Sequence, residues 1–287
     1  MAVTLLSLLA AFLFGLALVL TQIGLRGHSP LAGVRISVPT AAACFVLLAP
    51  LTVDPAQWDT ASAALFALVG VLFPAVVSLL TFEANRRIGP NLTGALGNLT
   101  PLFAVMIAAV LLREQPSVSQ LAGIALIAVG VGALFYDPRS PVGQITAVSV
   151  MLPLAAALIR GLAQPAIKLG MEGWPNPFAA AVIGYVVSAV VVTGAAGLAD
   201  RRAPNPPRIR NSRMWFAAVG LCNGSAALCM YAALGRGSVA SVAPLVACYP
   251  LATLALGRII LGRTSLSPGM ALGVAVTVAG VLLLIVF

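Results

Sequence analysis

Charged and polar side chains that fall inside long apolar runs are where this sequence could do chemistry. Arg160 stands near the middle of the apolar stretch 143–170, which contains no acidic residue. A charge in hydrocarbon is costly and marks a functional position by default. A guanidinium grips a carboxylate through two parallel N–H···O contacts, so Arg160 could act as a carboxylate clamp. It could equally be a structural cation, held by backbone carbonyls that a proline break exposes. Gln164, one turn further on, is taken with Arg160 as a candidate substrate contact. Lys168 lies two turns beyond Arg160, close to the end of the stretch, and is expected to extend its ammonium to the interface.

Other apolar runs carry isolated hydroxyls, amides and phenols. The stretch 90–112 holds Asn91, Thr93, Asn98 and Thr100. Thr93 and Thr100 share one helical face, and Asn91 and Asn98 share another. Ser238, Ser241 and Tyr249 recur at matching depths at and within 239–261, Ser78 and Phe82 in 61–84, and Asn223, Met230 and Tyr231 in 214–234. Such groups suit the lining of a cavity for a zwitterionic or partly apolar solute. They suit interhelical hydrogen bonding equally well. The candidate substrate contacts are therefore Arg160, Asn98, Thr100, Thr93, Ser78, Phe82, Gln164, Asn223, Tyr231, Ser241 and Tyr249.

Enzyme chemistry finds little footing. All seven acids (Asp54, Asp59, Glu83, Glu114, Asp137, Glu172 and Asp200) lie at the ends of apolar runs or between them. There is one histidine, His28, and the four cysteines (Cys44, Cys222, Cys229 and Cys248) form no CxxC pair. A membrane-embedded enzyme would need these residue types clustered. No metal site, cofactor or disulfide is expected. A Walker motif is absent, so no built-in ATPase is expected.

The elements that must position these residues follow from composition. The chain has 287 residues, of which 61% are apolar and 8% charged. A soluble domain carries about a quarter charged residues, so this surface faces lipid. A spanning helix needs roughly 20 apolar residues. Ten spans are expected, at about 3–25, 32–53, 61–84, 90–112, 118–136, 143–170, 177–199, 214–234, 239–261 and 267–287, with no room for a soluble domain. Turn signals such as Ser29-Pro30, Asp54-Pro55, Gly89-Pro90 and Trp174-Pro175-Asn176-Pro177 separate them. The first run has no basic residues before it and Arg26 after it, the reverse of a cleavable signal, so it is read as a retained helix. The net charge of +9 reads as a topology signal and headgroup contacts rather than a nucleic-acid footprint.

The chain also repeats itself. At a shift of 149 residues Pro101 meets Pro250, Phe82 meets Tyr231, Ala84 meets Ala233, Arg87 meets Arg236 and Leu112 meets Leu261. At 146 Gly15 meets Gly161 and Gly24 meets Gly170. At 150 Gly123 meets Gly273 and Gly130 meets Gly280. Two repeats are expected, 1–137 and 138–287. Five crossings each would insert the second copy upside down, the arrangement of alternating-access transporters with a site near the midplane. The expected fold is all-α and integral to the membrane: ten transmembrane helices as two inverted five-helix repeats. Pro101 and Pro250, interior to equivalent spans, are candidate hinges, because an interior proline removes a backbone hydrogen bond and kinks the helix.

The sequence resembles the drug/metabolite transporter superfamily in its ten-helix form with two EamA-type domains. The resemblance rests on Phe14-Gly15 through Gly24 to Ser29-Pro30 and Arg35. It continues in Asn98-Leu99-Thr100-Pro101-Leu102-Phe103, Leu111-Leu112-Arg113-Glu114, Gly123 and Gly130. The second half is a weaker copy, with Arg263 where the family usually has the glutamate seen here as Glu114. Bacterial YddG-type amino-acid exporters are the nearest resemblance. It implies a secondary transporter of small metabolites, a multi-pass protein of the inner (plasma) membrane, with an amino acid or similar metabolite as substrate and the bilayer as its surroundings. It also implies a central cavity between spans three, four, eight and nine, with one and six alongside. A drug, sugar or nucleotide-linked metabolite permease is the alternative. The mid-membrane glutamate of small multidrug-resistance relatives is missing from the first span, which near its end offers only Thr21 and Gln22 as polar side chains. A nucleic-acid partner is not expected, and a monomer is.

Orientation is read from the loops. The loop Asp54–Asp59 has no basic residue, whereas its counterpart holds Arg201, Arg202, Arg208, Arg210 and Arg213. The positive-inside rule places the latter in the cytoplasm and both termini outside. Arg26, Arg86, Arg87, Arg139 and Arg263 fall on the same inner side, opposed by Arg113, Lys168 and Arg236. This departs from the termini-inside orientation common in the family.

Overall fold

The computed structural model describes residues 1–26, 28–134, 146–200, 213–262 and 268–286, and every regular element among them is helical. The helices are α1 (Ala2–Gly24), α2 (Pro30–Thr52), α3 (Thr60–Gly70), α4 (Val77–Gly97), α5 (Thr100–Leu111), α6 (Val118–Leu134), α7 (Ala147–Gly173), α8 (Pro177–Asp200), α9 (Arg213–Leu234), α10 (Val239–Val246), α11 (Tyr249–Leu261) and α12 (Pro268–Val286). Seven helical runs among the described residues are long and apolar enough to cross a membrane, and shorter apolar helices accompany them. Local signals set the starts. The Ser29 hydroxyl accepts from the Ala32 amide ahead of Pro30, and the Asp59 carboxylate accepts from the Ser62 amide at 2.8 Å. Both are N-caps that satisfy an amide without a helical partner.

Three of the expected spans are not continuous helices, and proline explains each interruption. A proline has no N–H to offer the carbonyl four residues back, and its ring crowds that carbonyl. Each upstream helix stops at that very residue: α3 at Gly70 before Pro74, α4 at Gly97 before Pro101, and α10 at Val246 before Pro250. Between α3 and α4 the chain makes a π-helical turn, Val71–Val76, with Phe73 extended at φ −125° and ψ 122°. The Ser188 hydroxyl of α8 repairs this break. It donates to the orphaned Gly70 carbonyl at 2.5 Å and accepts from the Ala75 amide at 3.2 Å. Gly89, at φ 76° and ψ 169°, divides α4 into an arm 77–88 and a returning arm 90–97. Only glycine adopts that conformation readily. The expected end of the sixth span at 170 is corrected to Gly173, where Trp174 leaves the helix ahead of Pro175. Arg139, Arg201, Arg202, Arg208, Arg210 and Arg263, as well as the expected domain boundary at 137 and 138, lie outside the described residues.

The helices pack across the two halves of the sequence. α1 lies on α9 and α11, α2 on α8 and α9, α3 and α4 on α7, α5 on α7, and α6 on α12. Glycines set the closest approaches. A Cβ on Gly15 would come within 2.7 Å of the Tyr249 carbonyl and the Ala252 side chain. One on Gly161 would reach the Thr100 carbonyl at 3.2 Å and Phe103 at 2.6 Å. Likewise Gly130 abuts Thr277 and Gly273, while Gly280 abuts Ile127 and Gly123. Phe216 fills the space beside Gly24 as Phe66 fills that beside Gly170. Each contact maps onto its reciprocal under the sequence shifts given above. Outward-facing Leu51, Val110 and Ile259, each more than three-quarters exposed, form an apolar exterior suited to lipid.

Candidate substrate cavity

The breaks in the helices surround a cavity. It has about 650 Å³ of empty space, mouth included, and is lined from α1, the π-helical turn, α4, α7, α8, α9 and α11. Phe14, Phe73, Phe82, Leu18 and Val77 supply its apolar wall. Thr21, Ser78, Thr81, Thr93, Asn223, Tyr185 and Tyr249 supply polar groups. The one charged side chain among the described lining residues is Arg160. A mostly apolar concavity with a few convergent polar groups is the usual form of a small-molecule site.

Arg160 reaches the cavity from the middle of α7. Its guanidinium carbon sits 5.9 Å from the ring centres of both Phe14 and Tyr249, so two aromatic faces flank the cation. The ring quadrupoles attract it, with more effect out of water than in it. Its Nε is buried without a hydrogen-bond partner, and no carboxylate among the described residues forms an ion pair with it. Thr93 Oγ1, on the same cavity, is also buried and unpartnered. Buried polar groups are normally satisfied, and a polar solute or water in the cavity would serve both of these. Tyr249 is fixed from its far end: its hydroxyl donates to the Gly94 carbonyl at 3.1 Å, tying α11 to the returning arm of α4.

The structure brings many of the sequence-chosen residues together. Arg160, Thr93, Ser78, Phe82, Asn223 and Tyr249 share the main cavity. Thr100 and Gln164 line a smaller adjoining pocket with Arg160 and Tyr249, and Gln164 Oε1 is buried and unpartnered there. Asn98, Tyr231 and Ser241 line neither space. The Asn98 amide donates to the Ile127 carbonyl at 3.3 Å, joining α4 to α6. Tyr231 is packed within the core. Ser241 belongs to the N-terminal turn of α10, where Ser238 is the cap, and it accepts from Gln120 at 3.1 Å. Pro101 and Pro250 are the second residues of α5 and α11.

Tyr185, Phe73, Phe14 and Thr81 went unselected in the sequence. Tyr185 is surrounded by alanines and valines, and nothing local separates it from a core residue. Phe73 was legible only through Pro74 beside it. The expectation for Lys168 is corrected. Its ammonium does not extend to the interface but pairs with Glu114 at 2.5 Å and donates to the Gly237 carbonyl at 2.8 Å. The partner stands 54 residues away, beyond the reach of any local pattern.

A family model, the EamA-like transporter family, matches residues 1–136 and again 147–286. The chain belongs to the EamA-like transporter family. Solved structures agree on the fold. One crystal structure superimposes with a TM-score of 0.75 at 16% identity, over 98% of this chain and 95% of that one. None of the curated proteins matches in sequence. As an EamA-like protein with two such domains, it is a multi-pass membrane transporter of small molecules, and the members of this family are transporters rather than enzymes.

Proposed function

We propose that this EamA-like protein is an amino-acid exporter of the inner (plasma) membrane, working by alternating access between two inverted five-helix repeats. The reading takes the repeats as 1–137 and 138–287, the spans as ten, and both termini as outside the cytoplasm. The reciprocal glycine contacts support the repeat: two copies related by a pseudo-twofold axis must make each inter-copy contact twice. Resemblance to YddG-type exporters favours amino acids.

The observation that carries the substrate class is Arg160, a cation in the middle of α7 with a buried, unpartnered Nε and no carboxylate paired with it among the described residues. A carboxylate of modest size supplies what it lacks, through two charge-assisted contacts. Thr93, Ser78 and Asn223 then offer neutral oxygens to the ammonium group, and the aromatic wall takes an apolar side chain. With no dedicated anion for the ammonium, binding is weak and selectivity broad. Lipophilic cations are disfavoured by the same positive centre.

A counterflow screen with purified protein in liposomes tests this. Labelled amino acids should accumulate transiently against excess unlabelled solute inside, while sugars and lipophilic cations should not. Accumulation of a sugar, a nucleotide-linked metabolite or a cation, with no amino acid moving, would replace the substrate class and leave the transporter.

A further inference from the structure

The cavity and the charged contact at Glu114 lie toward opposite faces of the helix bundle. The lining from α1 runs from Phe14 to Thr21, in the second half of that helix. The lining from α7 runs from Pro153 to Arg160, in the first half, and α4 contributes Val77–Phe82 and Thr93. These positions converge on the face that carries Arg26, Glu83, Arg86 and Arg87. The opposite face holds the end of α7, the end of α5, the start of α10 and the start of α1, where Val3 rests against Gly237. None of the cavity's described lining residues comes from those ends.

On that opposite face one carboxylate joins several elements. Glu114, which follows α5, accepts hydrogen bonds from the Val239 amide at 2.9 Å and the Ala240 amide at 3.4 Å, the first two residues of α10. It also pairs with Lys168 of α7, which in turn holds the Gly237 carbonyl just before α10. Side-chain exposure is 14% for Glu114 and 22% for Lys168, so both are mostly withdrawn from solvent. A carboxylate at a helix N-terminus completes amides that lack helical partners and complements the helix dipole. The contact therefore ties α5, α7 and the α10 end together, and it crosses from the first matched region of the chain to the second.

The pseudo-equivalent positions do not repeat it. Shifting Glu114 by 149 residues gives Arg263, and shifting Lys168 back by 146 gives Gln22. The start of the returning arm, opposite Val239, begins at Pro90, which has no amide hydrogen to offer. The pseudo-equivalent positions on the other face therefore offer no clamp of this chemistry.

We infer that Glu114, Lys168 and the N-terminus of α10 form a one-sided latch that seals the face opposite the cavity mouth, and that it must open once per transport cycle. The inference rests on the alternating-access reading above. With the proposed orientation the latch is on the outside, and the cavity opens to the cytoplasm, as loading of an exporter requires. The latch biases the resting protein toward the state with its cavity open inward. Breaking it populates the outward-open state. Because Glu114 serves a helix terminus as well as Lys168, exchanging the two charges places an ammonium against the positive end of α10 and does not restore the seal.

Side-specific labelling tests this. In a background with the four native cysteines replaced, Thr81→Cys places a thiol on the cavity wall, and a membrane-impermeant maleimide is applied to each face in turn. The parent should react much faster from the face carrying Glu83 than from the opposite face. Adding Glu114→Gln should raise labelling from the Glu114 face by about tenfold or more, given the strength of charge-assisted contacts. Lys168→Met should act in the same direction and less strongly. The exchange Glu114→Lys with Lys168→Glu should remain leaky. Unchanged one-sided labelling in folded Glu114→Gln protein overturns the latch alone. Restoration of the seal by the charge exchange overturns the role of the α10 terminus. Labelling of the parent at equal rates from both faces overturns the seal, while alternating access itself is tested by the counterflow screen.

Discussion

Replacing Arg160 with glutamine separates the two roles that the sequence left open. This side chain has two aromatic neighbours, each 5.9 Å from the guanidinium carbon, and no ion-pair partner among the described residues. Losing two cation–π contacts costs about 0.5–2 kcal/mol each. Removing a partly desolvated charge that nothing compensates recovers a penalty of the same order, up to several kcal/mol. The terms oppose each other, so the stability of the empty protein should change by about 1 kcal/mol or less, a few degrees in melting temperature. A bound carboxylate changes the balance, because each hydrogen bond between charged groups is worth about 1.5–3 kcal/mol. Losing one to two of them weakens apparent affinity by roughly 10-fold to more than 1,000-fold, at 1.4 kcal/mol per decade. Thermal unfolding in detergent and the half-saturation concentration in counterflow, measured on the same preparation, read both quantities. Arg160→Gln should melt close to the parent and require far more amino acid. A variant that transports at the parental half-saturation but melts more than about 10 °C lower would make Arg160 a structural cation, since only loss of several kcal/mol shifts melting so far.

The remaining expectations concern the scaffold. Pro101→Ala and Pro250→Ala should each slow transport while leaving a folded protein, because each allows the separate halves of its span to join; unchanged rates in both would make the breaks packing features without a hinge role. Ser188→Ala removes the two hydrogen bonds that its hydroxyl makes with the Gly70 carbonyl and the Ala75 amide, at about 0.5–1.5 kcal/mol each, so it should destabilise the fold and raise the half-saturation concentration; a neutral result on both measures would show that the π-helical turn holds without it. A C-terminal alkaline phosphatase fusion should be active and a C-terminal fluorescent protein dark, the reverse pair of results placing the C-terminus inside.

The sequence disclosed the parts of this molecule that have a local physical cost. Arg160 stood out because a charge inside an apolar run is expensive, and the structure puts it on the central cavity. The ends of the spans were legible from caps and turn prolines such as Ser29-Pro30. Pro101 and Pro250 signalled irregular backbone, but not that each upstream helix would end at the residue whose carbonyl the proline cannot serve. What the sequence withheld depends on tertiary contact. Lys168 looked like an interfacial lysine until its partner at position 114 was placed beside it. Asn98 and Ser241 carry the same functional groups as Thr93 and Asn223, and only packing decides which of them bonds to α6 and which faces the cavity. Tyr185 had no distinguishing pattern at all.

The most direct test of the account is competition between an amino acid and its own carboxamide in counterflow by the unmodified protein. The pair shares an ammonium group and a side chain and differs only in the group offered to Arg160. Uptake of the labelled amino acid should be suppressed by the unlabelled amino acid and hardly affected by its amide at the same concentration. Equal suppression by the amide would show that the cavity does not read a carboxylate, and the assignment of Arg160 to the substrate would be wrong.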